Sequence, residues 1–233
     1  MQLAYDLHIH SSLSPCCDDD STPSNIVGMA VLKQLDVIAV CDHNSCKNLP
    51  EVFRCAEEYG LLVVPGMELT TAEEVHCLCF FETLENALKF SDYVKETLFM
   101  PNDVDIFGHQ YIVKNDTVTG EEDMMLSSAS GIPFDTIYDI ITPLGGVMVP
   151  AHVERKSHGI LAQMGFVPED SRFKTFEIKH VGFLDDVRKD SYLKDLKHIT
   201  SSDAHHIGLI NERINFIDVP EKSIKSILQY LKN

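Results

Sequence analysis

Imidazole and carboxylate side chains recur at the ends of apolar, strand-like runs in this chain, and the fold must bring those ends together to use them. Six of the eleven histidines fall in five short clusters. These are His8-Ile9-His10, Asp42-His43, Glu68 followed by His76, Pro150-Ala151-His152, and Asp203-Ala204-His205. The runs beside them are Leu3 to Leu7, Val37 to Cys41, Leu61 to Val64, Val75 to Phe81, Val147 to Val149, and a weaker one at Ile199. A core histidine bonded to a neighbour accounts for any one position, but five coincidences at strand ends require a shared cause. Imidazole with carboxylate suits Zn, Fe and Mn, whereas a soft thiolate site would place Cys there. The pattern reads as a multinuclear metal site.

Strand geometry sharpens this reading. Residues i and i+2 point to the same face of a strand, so His8 and His10 address one pocket while Ile9 packs behind. Asp203 and His205 repeat the spacing. Asp42 and His43 are adjacent and cannot share a face, which makes His43 the better ligand, with Asp42 orienting it from behind. Glu68 offers two oxygens and a negative charge, so it can bridge two ions.

The length of 233 residues is most simply one domain, 1–233, large enough to bury a substantial core. A net charge of −17 argues against broad electrostatic binding to nucleic acid or anionic membranes. A small anionic substrate stays compatible, because divalent ions would place positive charge at the site itself. No stretch approaches the roughly 20 apolar residues of a membrane helix. No signal peptide is expected ahead of His8 and His10, and seven cysteines without a secretory context do not suggest a disulfide framework. All seven read as structural cysteines, and Cys77 and Cys79 alternate as small core residues of a strand. A cytoplasmic location is expected. Oligomeric state has no signature.

Strands and helices alternate along the chain. Thr22-Pro23-Ser24 opens a helix bearing Ile26, Val27, Met29, Ala30 and Leu32. The run Leu35 to Cys41 reads as a strand covered on both faces. Helices follow at Leu49 to Tyr59, Leu84 to Leu98, Phe134 to Ile141 and Lys222 to Leu231, with strands at Gly146 to Pro150, Phe176 to Ile178, Ile199 and Ile214 to Val219. Residues 101–131 interrupt the rhythm with two apolar segments around Lys114-Asn115-Asp116, which predicts a hairpin insertion on the rim that could cover the site. His109 within it reads as a locally bonded histidine. Alternating elements imply a parallel sheet, and five strand ends converge most readily at the rim of a closed barrel.

Four ordered segments then resemble the PHP family, named for polymerase and histidinol phosphatase. Asp6-Leu7-His8-Ile9-His10-Ser11 is similar to its first motif and Asp42-His43-Asn44 to its second, while Pro150-Ala151-His152 and Ser202-Asp203-Ala204-His205 resemble the third and fourth. The resemblance implies a distorted (β/α)7 TIM-like barrel carrying up to three Zn, Mn or Fe ions and hydrolysing phosphate esters. It further implies one ion at His8, His10, Glu68 and Asp203, a second shared by Glu68 with His76 and His152, and a third at His43 and His205. The remaining ligand would come from the loop after His10. The family's position for it falls on Pro15 here, so the candidates become Asp18, Asp19 and Asp20, with Asp18 chosen.

The chemistry implied is hydrolysis of a small phosphorylated metabolite or nucleotide. A bound divalent ion lowers the pKa of its water from 15.7 to about 7, and two ions about 3.5–4 Å apart can clamp a phosphoryl group. No serine sits in an activating motif such as G-x-S-x-G. Arg155, just past His152, is the best placed cation for phosphate, followed by Lys156, with His180 and His206 as weaker candidates. Without a basic, aromatic-studded groove, a long nucleic-acid track is not expected. The alternatives are trimming of short oligonucleotides from a 5′ or 3′ end, a nucleotide 3′,5′-bisphosphate phosphatase, and, from another class, a non-catalytic metal-binding regulatory module.

Overall fold

The computed structural model describes residues 1–233. Strands β1 (Gln2–Ile9), β2 (Val37–Val40) and β3 (Leu62–Val63) run parallel, joined by helices α1 (Pro23–Leu32) and α2 (Leu49–Glu57). Thr22 caps α1 as its composition predicts, its hydroxyl accepting from the Asn25 amide at 3.3 Å. Strands β4 (Gly66–Thr70) and β5 (His76–Phe80) follow, then α3 (Leu84–Lys95) and the short α4 (Val104–Phe107). A hairpin, β6 (Tyr111–Lys114) and β7 (Thr117–Glu121), occupies the expected insertion. Its turn places Asn115 and Asp116 both in the left-handed region, at φ 49° and 55°, as a tight two-residue hairpin loop requires.

The remainder comprises α5 (Ile137–Ile141), β8 (Val147–Pro150), α6 (Ile160–Gln163), β9 (Thr175–Glu177), α7 (Leu184–Val187), β10 (Lys197–Ile199), β11 (Phe216–Asp218) and α8 (Ile224–Lys232). No helix is long and apolar enough to cross a membrane.

Two expectations need correction. The strands do not form one closed parallel ladder. They fall into four hydrogen-bonded sheets, ordered β11-β1-β2-β3, β4-β5-β8, β9-β10 and β6-β7. Isolated bridges, Ile9 to Ala204 and His43 to Glu68, link the sheets near the site. The register of β1 against β2 also shifts between Asp6 and Ile9, an irregularity of the kind that re-aims side chains beside functional sites. Secondly, β4, β5 and β8 are antiparallel. The turn between β4 and β5 is closed by Thr71, whose amide donates to the Val75 carbonyl at 2.9 Å. Such a connection is too short for the crossover a parallel pair needs.

One apolar layer packs Leu3, Tyr5 and Leu7 of β1 against Val37 and Ala39 of β2 and Phe80 of β5. The opposite face of β1 carries Asp6 and His8, both fully buried. The buried imidazoles gather at one end, and the site lies there.

Candidate metal centre

Glu68 is the hub. It lies mid-strand in β4, 1% exposed, and five imidazoles approach its carboxylate. Oε1 lies 2.8 Å from His76 Nδ1, 3.1 Å from His152 Nε2 and 3.4 Å from His8 Nε2, while Oε2 lies 3.1 Å from His43 Nδ1 and 3.2 Å from His10 Nε2. His8 and His10 stand at the end of β1, His43 just past β2, and His152 just past β8. His76 instead opens β5, and because β5 runs antiparallel its first residue reaches the same rim. Asp203 and His205 arrive on the loop after β10, pinned to β1 by the Ile9–Ala204 bridge and by His10 N donating to Ala204 O at 2.9 Å.

Three groups of ligand atoms converge: His8, His10, Glu68 and Asp203; His43, Glu68 and His76; and His10, His43 and His205. The first holds together the set expected from the sequence. Asp203 Oδ1 sits 3.3 Å from His10 Nε2 and 3.5 Å from His8 Nε2. His152 lies in none of the three groups, though its Nε2 is 3.1 Å from Glu68 Oε1, and His43 takes the place beside Glu68 and His76 that was expected for His152.

Hydrogen bonds behind the cluster set the tautomers. The Ser14 hydroxyl donates to Asp42 Oδ1 at 2.7 Å, so its oxygen can accept from His10 Nδ1–H at 3.2 Å, which turns the His10 Nε2 lone pair inward. Asp42 also accepts from Ser11 N at 2.7 Å and Ser11 Oγ at 2.6 Å. It therefore orients His10 through Ser14, rather than His43 as expected. Glu177, at the end of β9 and fully buried, faces His8 Nδ1 at 3.0 Å and 3.2 Å and accepts from His152 N at 3.1 Å. Sequence reading passed over Glu177. A carboxylate inside the run Phe176-Glu177-Ile178 was the available signal, since an apolar strand does not bury one without a partner.

Charge follows the same geometry. Burial opposes the His8 imidazolium, but Glu177, Glu68 and Asp203 outweigh it and hold the pKa well above the ordinary value. His10, against the same burial, is raised to about 10 by Asp203 and Glu68. Burial pushes His76 down to about 3, with Glu68 pulling the other way. Despite its burial, Glu68 is held well below the usual carboxylate range by His76, His8 and His43.

The donor set fits divalent ions. His8 Nε2 and His10 Nε2 face each other at 3.1 Å, each with its Nδ1 already engaged, so their lone pairs converge on a common point. His43 Nδ1 and Glu68 Oε2 are buried without a hydrogen bond, close together yet misaligned for one. Backbone strain clusters here too: His152, Asp203 and Asn44 take φ of 30°, 48° and 50°, a region side-chain-bearing residues seldom enter.

Of the expected substrate contacts, Arg155 lines the cavity and donates through Nη1 to Asp203 Oδ2 at 2.7 Å, with Lys179 Nζ 4.0 Å from the same oxygen. His180 does not line it. Its ring is exposed, edge-on to Phe183, and its amide is held by Glu154 at 2.7 Å. Asp18 also lies outside the converging groups, because its carboxylate turns outward to pair with His206. The loop instead presents Cys16 to the cavity. The neighbouring Cys17 thiol and the His205 and His43 rings draw the Cys16 thiol below its ordinary value. His109 is bonded locally to Glu121 at 3.0 Å, as expected.

Over 71 residues the chain is 34% identical to a 5′-3′ exoribonuclease of Haemophilus influenzae, a stretch covering 30% of this chain and 25% of that protein. A stretch of 76 residues is 34% identical to an uncharacterized protein of Methanocaldococcus jannaschii, covering 29% and 44%. Among solved structures, the lesion-specific endonuclease PfuEndoQ from Pyrococcus furiosus superposes with a TM-score of 0.72 at 17% identity, over 100% of this chain and 56% of that one. A protein assigned as a metal-dependent phosphoesterase from Bifidobacterium adolescentis gives 0.63 at 17% identity, over 97% and 96%. The chain thus spans about half of the endonuclease it resembles in fold. The PHP domain model matches residues 6–166, which contain the first three motifs and Glu68, and the chain belongs to the PHP domain family.

Proposed function

We propose that the chain is a metal-dependent phosphoesterase acting on the phosphate ester of a small metabolite or nucleotide. The observation that carries this reading is the approach of five imidazoles to one buried carboxylate, Glu68, beneath a cavity with Arg155 at its rim. Divalent ions held by His8, His10, Glu68 and Asp203, by Glu68 with His76 and His152, and by His43 with His205 would supply Lewis-acid stabilisation and a water of lowered pKa.

The chain's own residues do the positioning. Arg155 commits one N–H to Asp203, which holds the guanidinium at the rim and leaves other N–H groups for phosphoryl oxygens. Lys179 adds a second cation beside it. His158 stacks on His76 at 4.2 Å and 9°, forming a wall that fixes the His76 ring. The cavity volume of about 310 Å³ lies at the low end of the roughly 300–1,000 Å³ of small-molecule sites. It suits a phosphoryl group and the unit bearing it, while a longer chain would have to cross the rim.

A second reading, release of nucleotides from a short oligonucleotide end or dephosphorylation of a nucleotide 3′,5′-bisphosphate, is favoured by the relatives named as exoribonuclease and lesion-specific endonuclease. Both readings are tested by phosphate release from metal-reconstituted protein. The panel holds histidinol phosphate, nucleoside monophosphates, a nucleotide 3′,5′-bisphosphate, phosphotyrosine peptide, and short RNA with a coupled phosphatase. Turnover of a monoester, lost in His10→Ala, supports the first. Turnover of RNA or the bisphosphate alone selects the second. Silence across the panel with bound metal favours a non-catalytic regulatory module.

A further inference from the structure

We infer that Cys16 is a metal ligand, its Sγ joining His43 and His205 around the outermost ion of the centre. The inference rests on reading the cluster as a metal centre, and it assigns the donor that the loop after His10 supplies.

The outer group consists of His10, His43 and His205, with no carboxylate among its members. His10 has both ring nitrogens engaged elsewhere, Nδ1 with Ser14 and Nε2 among His8, Glu68 and Asp203. Two imidazoles then remain for the outer ion, and two nitrogens fall short of the four donors a zinc-type ion takes. His43, only 5% exposed, lines the cavity, and its buried Nδ1 lies 3.1 Å from Glu68 Oε2 with neither atom in a hydrogen bond. That nitrogen is a donor awaiting an acceptor of electron pairs.

Cys16 is the one sulfur lining the same cavity. Its loop is built to put it there. Ser14 N donates to Ser11 O at 2.9 Å and Cys17 N to Ser14 O at 3.0 Å, so the chain turns tightly after His10. Asp18 N then donates to His205 O at 3.3 Å, tying the residues around Cys16 to the backbone of the ligand it would join. None of the three aspartates of this loop lines the cavity, and Asp18 faces His206 outside it. On binding, the thiol proton leaves to solvent and a sulfur–metal bond takes its place. A thiolate with imidazoles favours zinc or cobalt over manganese, whereas the inner carboxylate-rich groups accept either.

Cobalt titration tests the assignment without reference to turnover. Co(II) added to the purified chain should produce both the visible bands of a nitrogen and oxygen site and the near-ultraviolet charge-transfer band of a thiolate ligand. The charge-transfer band should persist in Cys17→Ser, disappear in Cys16→Ser, and stay absent in Cys16→Asp although that carboxylate restores the lost equivalent of cobalt. Visible bands without charge transfer in the parent chain would overturn the role of Cys16 and leave the metal centre standing. A charge-transfer band that survives Cys16→Ser, or vanishes in Cys17→Ser, would also overturn it. Absence of any cobalt binding would overturn both readings together. Circular dichroism of each variant verifies that this exposed-loop substitution leaves the fold intact.

Discussion

Glu177→Gln isolates the buried carboxylate behind the centre. The substitution keeps shape and volume but removes a charge that faces His8 Nδ1 at 3.0 Å and accepts from the His152 amide at 3.1 Å. The amide oxygen, in the place of Oε2, can still accept from both donors but without the carboxylate charge, and the NH₂ group in the place of Oε1 then meets the His8 Nδ1–H 3.2 Å away. His8 loses the charge that favours its Nδ1–H tautomer and raises the basicity of Nε2. Hydrogen bonds to a charged group contribute about 1.5–3 kcal/mol against about 0.5–1.5 kcal/mol for neutral ones, and weakening both by that difference, roughly 1.5–3 kcal/mol together, corresponds to about 10–100-fold in equilibrium constant. Substitutions behind metal ligands weaken metal binding by the same 10–100-fold or so. Zinc affinity of the inner site, measured by competition with a chromophoric chelator, should fall by that factor in Glu177→Gln. It should stay unchanged in Glu212→Gln, whose side chain is 70% exposed and paired with Lys33. Equal affinity in Glu177→Gln and the parent, with both folded, would show that Glu177 is only a filled core position.

Chelation should lower thermal stability. At an ion concentration one hundred times Kd the bound state gains about 2.7 kcal/mol, equivalent to roughly 5–11 °C in a chain of this size, and an unmoved melting point in chelator would count against a folded-state site. Metal affinity should rise with pH. His8 lies above its ordinary pKa and His10 at about 10, so their protons stabilise the ion-free protein fully below about 6.5 and progressively less as pH climbs towards 10. Calorimetric loading at pH 7 should then release protons and vary with buffer ionisation enthalpy, and buffer independence would refute this. Asn48→Ala should loosen the hairpin, because the buried Asn48 amide holds Ser11 Oγ at 3.0 Å, Tyr111 O at 3.1 Å and Val113 N at 2.9 Å. Hydrogen exchange should accelerate over residues 111–121, with about 1–3 kcal/mol lost overall; unchanged exchange would mean the hairpin is held elsewhere. Gly66→Ala would place a Cβ 2.6 Å from Cys41 Sγ and displace the start of β4, so both melting point and metal affinity should drop, and a change in neither would show that this packing yields easily.

Most of the cluster was readable because its imidazoles and carboxylates lie at fixed spacings at the ends of apolar runs. His8 and His10 share a face by strand periodicity, and Asp203 and His205 return to the same rim. What the sequence concealed depended on long-range contact. β4 was missed, since Gly66-Met67-Glu68-Leu69-Thr70 is short and interrupted by the carboxylate that matters most. The antiparallel β4–β5 pair followed from a turn too tight for a helix, a length the sequence displays but a parallel template overrode. Glu177 carries no local motif, and Asp6, although inside the first motif, shows no partner nearby in the sequence. Asp6 accepts from Ser202 N and Asn211 N, both at 2.9 Å, and so shapes the loop bearing Asp203 from the far end of the chain. The loop after His10 misled for a similar reason: three consecutive aspartates suggested a ligand, while backbone turns set the direction of each side chain.

The bridge from Ile9 to Ala204 also dictates when the centre can exist. Ser202 Oγ donates to His8 O across 194 residues, and closing a loop of that length costs about 5 kcal/mol in chain entropy. His8 and His10 can meet Asp203 and His205 only once the long chain between them has been made and brought back to β1. The ions therefore cannot nucleate this fold. Ions held there would arrive last and act as a latch across its most distant contact, so scarcity of metal should leave early folding rates untouched and hasten unfolding.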